Sequence, residues 1–122
     1  MEELNVGKDF STDPCGRYYS DNTKSSGEQF REEALLPRLR NLNAGEKLDI
    51  VLDENVESYG SSFLTEGFAG VVKYGYMRAD ELVEKINLIV KNDMDFEYYR
   101  DKIIQYIHEA KYDSKKYVST RK

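Results

Sequence analysis

A chain of 122 residues with 39 % apolar and 34 % charged content holds one domain with a modest core and a heavily charged surface, and leaves no room for a second. Ten Tyr and five Phe exclude a disordered polymer, and a formal charge of -5 speaks against a general nucleic-acid binder. No stretch approaches 18 apolar residues, the opening MEELNVGKDF lacks the basic and apolar parts of a signal peptide, and Cys15 is a lone cysteine; a cytoplasmic, reducing setting is the expectation.

Leu4 and Val6 alternate with polar residues and predict a first strand, with Arg17–Ser20 as its hairpin partner across STDPCG, where Pro14 and Gly16 favour a turn. Ser25-Ser26-Gly27-Glu28-Gln29 offers two overlapping capping boxes, Ser25 with Glu28 or Ser26 with Gln29. Behind them Phe30, Ala34, Leu35, Leu39 and Leu42 recur at helical spacing, and Pro37 predicts a kink or break in that helix. Leu48–Asp53 is short, apolar and partly β-branched, as a central strand buried at its middle requires.

The stretch from Phe63 to Tyr74 reads as a helix, and Gly67 and Gly70 within it suggest close approach to the sheet, because each costs about 1 kcal/mol of helix propensity against alanine. Ala79 to Lys85 follows as a short helix and Ile86–Val90 as a strand. Asn92–Asp95 then cap a long amphipathic helix with Phe96, Tyr99, Ile103, Ile107 and Ala110 inward. Four strands alternating with helices predict a single α/β domain over residues 1–110. Residues 111–122 form a basic tail, with five cations against Asp113. Beyond Ala110 little periodic apolar surface remains, so the tail is expected to be solvated and dispensable for folding; a contact with RNA or an acidic partner is the other reading.

Conventional catalytic equipment is thin, and neither an enzyme nor a cofactor is expected. His108 is the one histidine and has no second ligand at metal-binding spacing. A Cys15–His108 nucleophile pair lacks a recognisable third group to orient it. Asp53, Glu54 and Glu57 form an acidic cluster suited to Mg²⁺, although loops after strands are routinely acidic and solvated. The informative stretch is ESYGSSFLTEGFAG, residues 57–70, where Ser61 and Ser62 stand at the mouth of a helix. Serines there serve as a cap, as an anion site facing the positive end of the helix dipole, or as a phosphoacceptor.

Gly16-Arg17-Tyr18, Ser26-Gly27-Glu28-Gln29-Phe30-Arg31 and Tyr59-Gly60-Ser61-Ser62-Phe63-Leu64-Thr65-Glu66-Gly67-Phe68-Ala69-Gly70 together resemble the prokaryotic STAS-like domain family of unknown function, over about residues 4–110. The resemblance implies a mixed sheet flanked by helices, related to sulfate-transporter and anti-sigma-factor-antagonist domains. It implies a non-enzymatic signalling module that docks on a histidine-kinase-like ATPase through Tyr59, Gly60, Ser61, Ser62, Phe63 and Glu66, with Ser61 as phosphoacceptor. In the antagonists Asp-Ser-Ser-Gly-Leu occupies this place; here Gly60 replaces the aspartate and Phe63 the glycine. Arg17 and Arg31, with Glu28, belong to the narrower pattern, as an anion site with Ser61 and Ser62 or as salt-bridging residues. The rival reading is an enzyme or an anion- or nucleotide-binding protein that uses Arg17, Ser61 and Ser62 as an anion cradle. No membrane partner is expected, and nucleic acid only through the tail.

Overall fold

The computed structural model describes residues 2–21 and 24–121. Three short strands, β1 (Glu2–Asn5), β2 (Leu48–Val51) and β3 (Ile86–Ile89), form a parallel sheet with β2 in the middle. The register sets Leu4 beside Ile50 and Leu88, and Glu3 beside Asp49 and Asn87. Alternation sends these two rows to opposite faces. Leu4, Leu48, Ile50 and Ile86 join the helices' apolar side chains in one core, whereas the Glu3–Asp49–Asn87 row is polar, with Asn87 Nδ2 donating to Asp49 Oδ1 at 3.0 Å.

Parallel strands need crossovers, and the chain supplies helices for them. Helix α1 spans residues 27–40 between β1 and β2; helix α2 spans residues 61–73, and helix α3 (Ala79–Lys85) follows it before β3. Helix α4 (Glu97–Glu109) comes last and packs on α2 and α3. Phe30 of α1, Phe63 and Phe68 of α2, and Ile103 and Ile107 of α4 are fully buried. Tyr59 completes this core: its ring packs against Phe63, Phe96 and Tyr99, and its hydroxyl donates to the Leu52 carbonyl at 2.7 Å.

Ser26 is the cap of α1, accepting from the Gln29 amide at 3.1 Å, while Ser25 Oγ donates to the Asp13 carbonyl instead. Three of the expected features are corrected. First, Arg17–Ser20 is not a strand: the Asp21 carboxylate takes the Arg17 and Tyr18 amides, Tyr19–Asp21 forms a 3-10 turn, and β1 pairs with β2. The sheet therefore has three strands among the described residues, all parallel, rather than a mixed set of four. Second, α1 is not broken at Pro37: the helix widens to a π turn over Phe30–Leu35 just before it, with the Leu36 amide reaching the Arg31 carbonyl, and runs on to Arg40. Third, Gly67 and Gly70 face α1 rather than the sheet. A Cβ on Gly67 would lie 3.1 Å from the Phe30 ring, and one on Gly70 would lie 2.5 Å from Arg31 Nη1.

The C-terminal segment is mostly exposed but touches the domain along its length. Helix α2 ends on Gly75 at φ +82, where the Gly75 amide bonds Val72 O and the Tyr76 amide bonds Val71 O, the paired closure of a Schellman motif. The chain returns to this corner: the Asp113 amide donates to Val72 O at 3.0 Å and the Lys115 amide to Lys73 O at 3.3 Å. Asp113 fills the space that a Cβ on residue 75 would need. Residues 113–121 thus lie along the domain as a strap.

Candidate functional site

Helix α2 begins at the end of the loop from β2, and the first helical bond runs from the Leu64 amide to Gly60 O. Gly60 is the cap residue and has no side chain to offer, so neither Ser61 nor Ser62 caps the helix. Capping, one of the three uses open to these serines, is therefore excluded for both. Ser61 is the first helical residue and is exposed, Ser62 is half-buried, and a Cβ on Gly60 would meet nothing within 4 Å. The amides of this first turn have no partner within the helix and carry the positive end of its dipole. Arg17 closes one side of the turn, with Nη2 3.3 Å from Ser62 Oγ.

The other side of Arg17 leads inward. Its Nη1 lies 3.9 Å from Glu66 Oε1, and Glu66 Oε2 is paired with Arg31 Nη1 at 2.9 Å. Arg31 and Glu66 are 0 % and 1 % exposed, so this is a buried ion pair, whose desolvation must be offset by close hydrogen bonding. The bonds are present: Arg31 Nη1 also donates to Glu66 O at 2.7 Å, Arg31 Nε to Glu32 Oε2 at 2.8 Å, and the Tyr74 hydroxyl to Glu66 Oε2 at 2.6 Å. Burial alone would lower the Arg31 pKa, but the bonds to Glu32 and Glu66 outweigh it and raise the value, which keeps the guanidinium charged. Burial and the Glu66 carboxylate both push the Tyr74 phenol upward, so it stays a donor.

Both partners of the pair sit on π turns, Arg31 in Phe30–Leu35 and Glu66 in Thr65–Ala69. A π turn rotates the residues that follow it and is often retained where a helix positions a functional side chain. The turns face each other where α1 and α2 cross, and Gly67 and Gly70 permit the approach. Arg31 Nη2 and Glu66 Oε1 are buried without a hydrogen-bond partner.

The site residues read from the sequence therefore divide. Arg17, Gly60, Ser61 and Ser62 lie together at the accessible end of α2. Tyr59, Phe63 and Glu66 are 6 %, 0 % and 1 % exposed and cannot form a docking surface in this conformation; Tyr59 and Phe63 are core and Glu66 is the inner anchor of Arg17. Arg31 is consumed by Glu66 and Glu32 and lies against both the Tyr74 and Tyr117 rings, 4.6 and 4.9 Å from their centroids.

Two acidic positions also acquire definite work. Asp53 accepts from the consecutive amides of Lys91, Asn92 and Asp93 at 3.0, 2.6 and 2.8 Å, and Glu54 from Asn5 Nδ2 at 2.7 Å. They tie the strand ends together, and among the described residues no group of three or more His, Cys, Asp or Glu is placed to hold a metal. His108 is exposed on α4. Glu28, buried at 0 % exposure, was legible in the sequence as a capping-box partner and, through the resemblance, beside Arg17 and Arg31. It accepts from the Tyr19 amide at 3.0 Å, the Tyr117 hydroxyl at 2.6 Å, and the Thr120 amide and hydroxyl at 3.0 and 2.6 Å. The signal available for these contacts was the presence of Tyr117 and Thr120 among the cations of the tail.

No helix among the described residues is long and apolar enough to cross a membrane. No family model, curated protein or solved structure matches the chain.

Proposed function

We propose that this chain is a cytoplasmic, non-enzymatic STAS-like interaction module that docks on a histidine-kinase-like ATPase through the N-terminal end of α2, with Ser61 as its phosphoacceptor. The observation that carries the reading is the exposed Ser61 hydroxyl on an uncapped first turn, beside a glycine with open space around it. A partner reaches this hydroxyl without unfolding anything. A phosphate there meets the helix dipole and the Arg17 guanidinium, so the added charge alters the surface while the fold persists.

The test compares wild-type, Ser61→Ala and Ser61→Asp chains expressed in the native host. Phosphoserine at position 61 and an ATPase retained by Ser61→Ala but lost by Ser61→Asp are expected; equal binding by all three without phosphoserine removes the reading. A second reading has its own support in the 3.3 Å contact of Arg17 with Ser62: an anion-binding site formed by Arg17, Ser61 and Ser62. Titration with inorganic phosphate should then shift the Ser61 and Ser62 amide resonances in the wild type and not in Arg17→Ala.

A further inference from the structure

The strap is held by a polar clasp with a readable pattern. Tyr117 donates its hydroxyl to Glu28 and lays its ring on Arg31; three residues on, Thr120 gives Glu28 both its amide and its hydroxyl. Thr120 Oγ1 also accepts from the Ser20 amide at 3.1 Å. One residue further, Arg121 lies 3.9 Å from Glu33 and over the Tyr19 ring. The groove supplies carboxylates and aromatic faces, and the strap supplies donors and cations.

Besides this clasp, the Asp113 and Lys115 amides bond Val72 O and Lys73 O at the start of the strap and the Tyr117 ring packs edge-on to Tyr74, but few apolar groups are buried. Val118, its one aliphatic side chain, is 72 % exposed, and Lys115, Lys116 and Ser119 are exposed as well. An open depression of about 460 Å³ is lined by Tyr18, Ser20 and Tyr74 of the domain and by Lys115, Lys116 and Thr120 of the strap. A segment fixed by polar contacts, with few buried apolar groups, belongs to the part of a structure that opens without global unfolding.

We propose that the groove floored by Glu28, Arg31 and Tyr74 is a docking site for an extended basic peptide with the pattern Tyr-x-x-Thr-Arg, and that residues 113–121 occupy it in cis until a partner segment of that chemistry displaces them. Recognition rests on donors offered to a fully buried carboxylate, which discriminates strongly because an unmatched segment leaves that charge unpaired. The proposal does not rest on Ser61 and either reading can fail without the other, although Arg17 and Glu66 connect the Ser61 end of α2 to Arg31 in the groove floor.

The experiment uses full-length chains and a fluorescent synthetic peptide spanning residues 111–122. Tyr117→Phe with Thr120→Val removes two of the three donors from the cis strap and leaves the groove intact. This variant is expected to bind the peptide at least tenfold more tightly than the wild type, whose groove is filled. Adding Glu28→Gln is expected to abolish the binding. Should that chain fail to fold, Glu33→Lys on the exposed rim serves instead and is expected to weaken the peptide severalfold. In the wild type the Thr120 amide should exchange with solvent faster than that of the core residue Ile103. Equal peptide binding by wild type and double variant, binding unaffected by Glu28→Gln or Glu33→Lys, or a Thr120 amide that exchanges only with global unfolding would each overturn the proposal.

Discussion

Asp53 and Glu28 are two buried carboxylates that solve the same problem with different partners. In each, burial pushes the pKa up and hydrogen bonds outweigh it, so both lie below the ordinary carboxylate value and remain charged. Asp53 takes three consecutive backbone amides just beyond β3, which any residues at 91–93 other than proline would supply. Glu28 takes two hydroxyls and two amides, and three of these four donors come from Tyr117 and Thr120. A backbone clasp fixes a fold and ignores sequence; a side-chain clasp reads sequence. The first suits the ends of a sheet, and the second suits a surface that must recognise what lies on it.

The largest expected effect comes from a third carboxylate, which neither clasp resembles. Glu66→Ala removes one of the two carboxylates on buried Arg31, leaves Nη1 without its side-chain partner and Glu32 as the remaining counter-charge, and should destabilise the domain by roughly 3 kcal/mol, read from the denaturant midpoint. A loss under about 1 kcal/mol would mean that water reaches Arg31 and that the pair is not sealed. Asp53→Ala strands three amides and should cost about 1.5–3 kcal/mol, with Asp53→Asn costing less because one acceptor oxygen remains. Chemical shifts at residues 91–93 should report the change, while those of the strap should stay as they are.

Acidification acts on both clasps together. A carboxyl with a folded pKa below its unfolded value contributes stability that is complete above the unfolded value, near 4. That stability is lost as the pH falls through the folded value. Stability should therefore be flat at neutral pH and fall below about pH 4, and Asp53→Asn should flatten part of that slope. A fall that instead begins above pH 6 would contradict the depressed values of Asp53 and Glu28.

Thr120→Val should cost about 1 kcal/mol or less in global stability, because a freed strap returns its donors to water. Its visible effect should be faster trypsin cleavage after Lys115 and Lys116. If melting instead collapses, the strap is part of the cooperative core and the contrast with Asp53 disappears. Smallest of all, Ser61→Asp should change stability by no more than about 0.5 kcal/mol, since the residue is exposed and the helix end favours a negative charge. A substantial loss would show that the first turn of α2 is more constrained than its open surroundings indicate.

The helices were legible in the sequence because their apolar spacing is local. Phe30, Leu35 and Leu39 in α1, and Ile103 and Ile107 in α4, mark one face by periodicity alone, and Leu48–Leu52 announces a buried strand by being short and β-branched. Arg17, Ser61 and Ser62 were also legible as a group, through the resemblance rather than through spacing. Arg17–Ser20 misled because its aromatic residues suit a strand, and nothing local shows that the Asp21 side chain captures the amides a strand would have used.

What the sequence by itself determined is the α/β class, the core faces of the helices and the glycine-bearing, serine-headed start of α2, all consequences of near-neighbour pattern. Only the tertiary structure decided that the glycines of α2 admit α1, that Arg31 is spent on Glu66, and that Glu28 holds the C-terminal segment. Those choices depend on burial. Arg31, Glu28 and Glu66 are ordinary surface residue types until the crossing of α1 and α2 removes water from them, and each must then bond to whatever donor or acceptor the fold brings within reach, however distant in the chain.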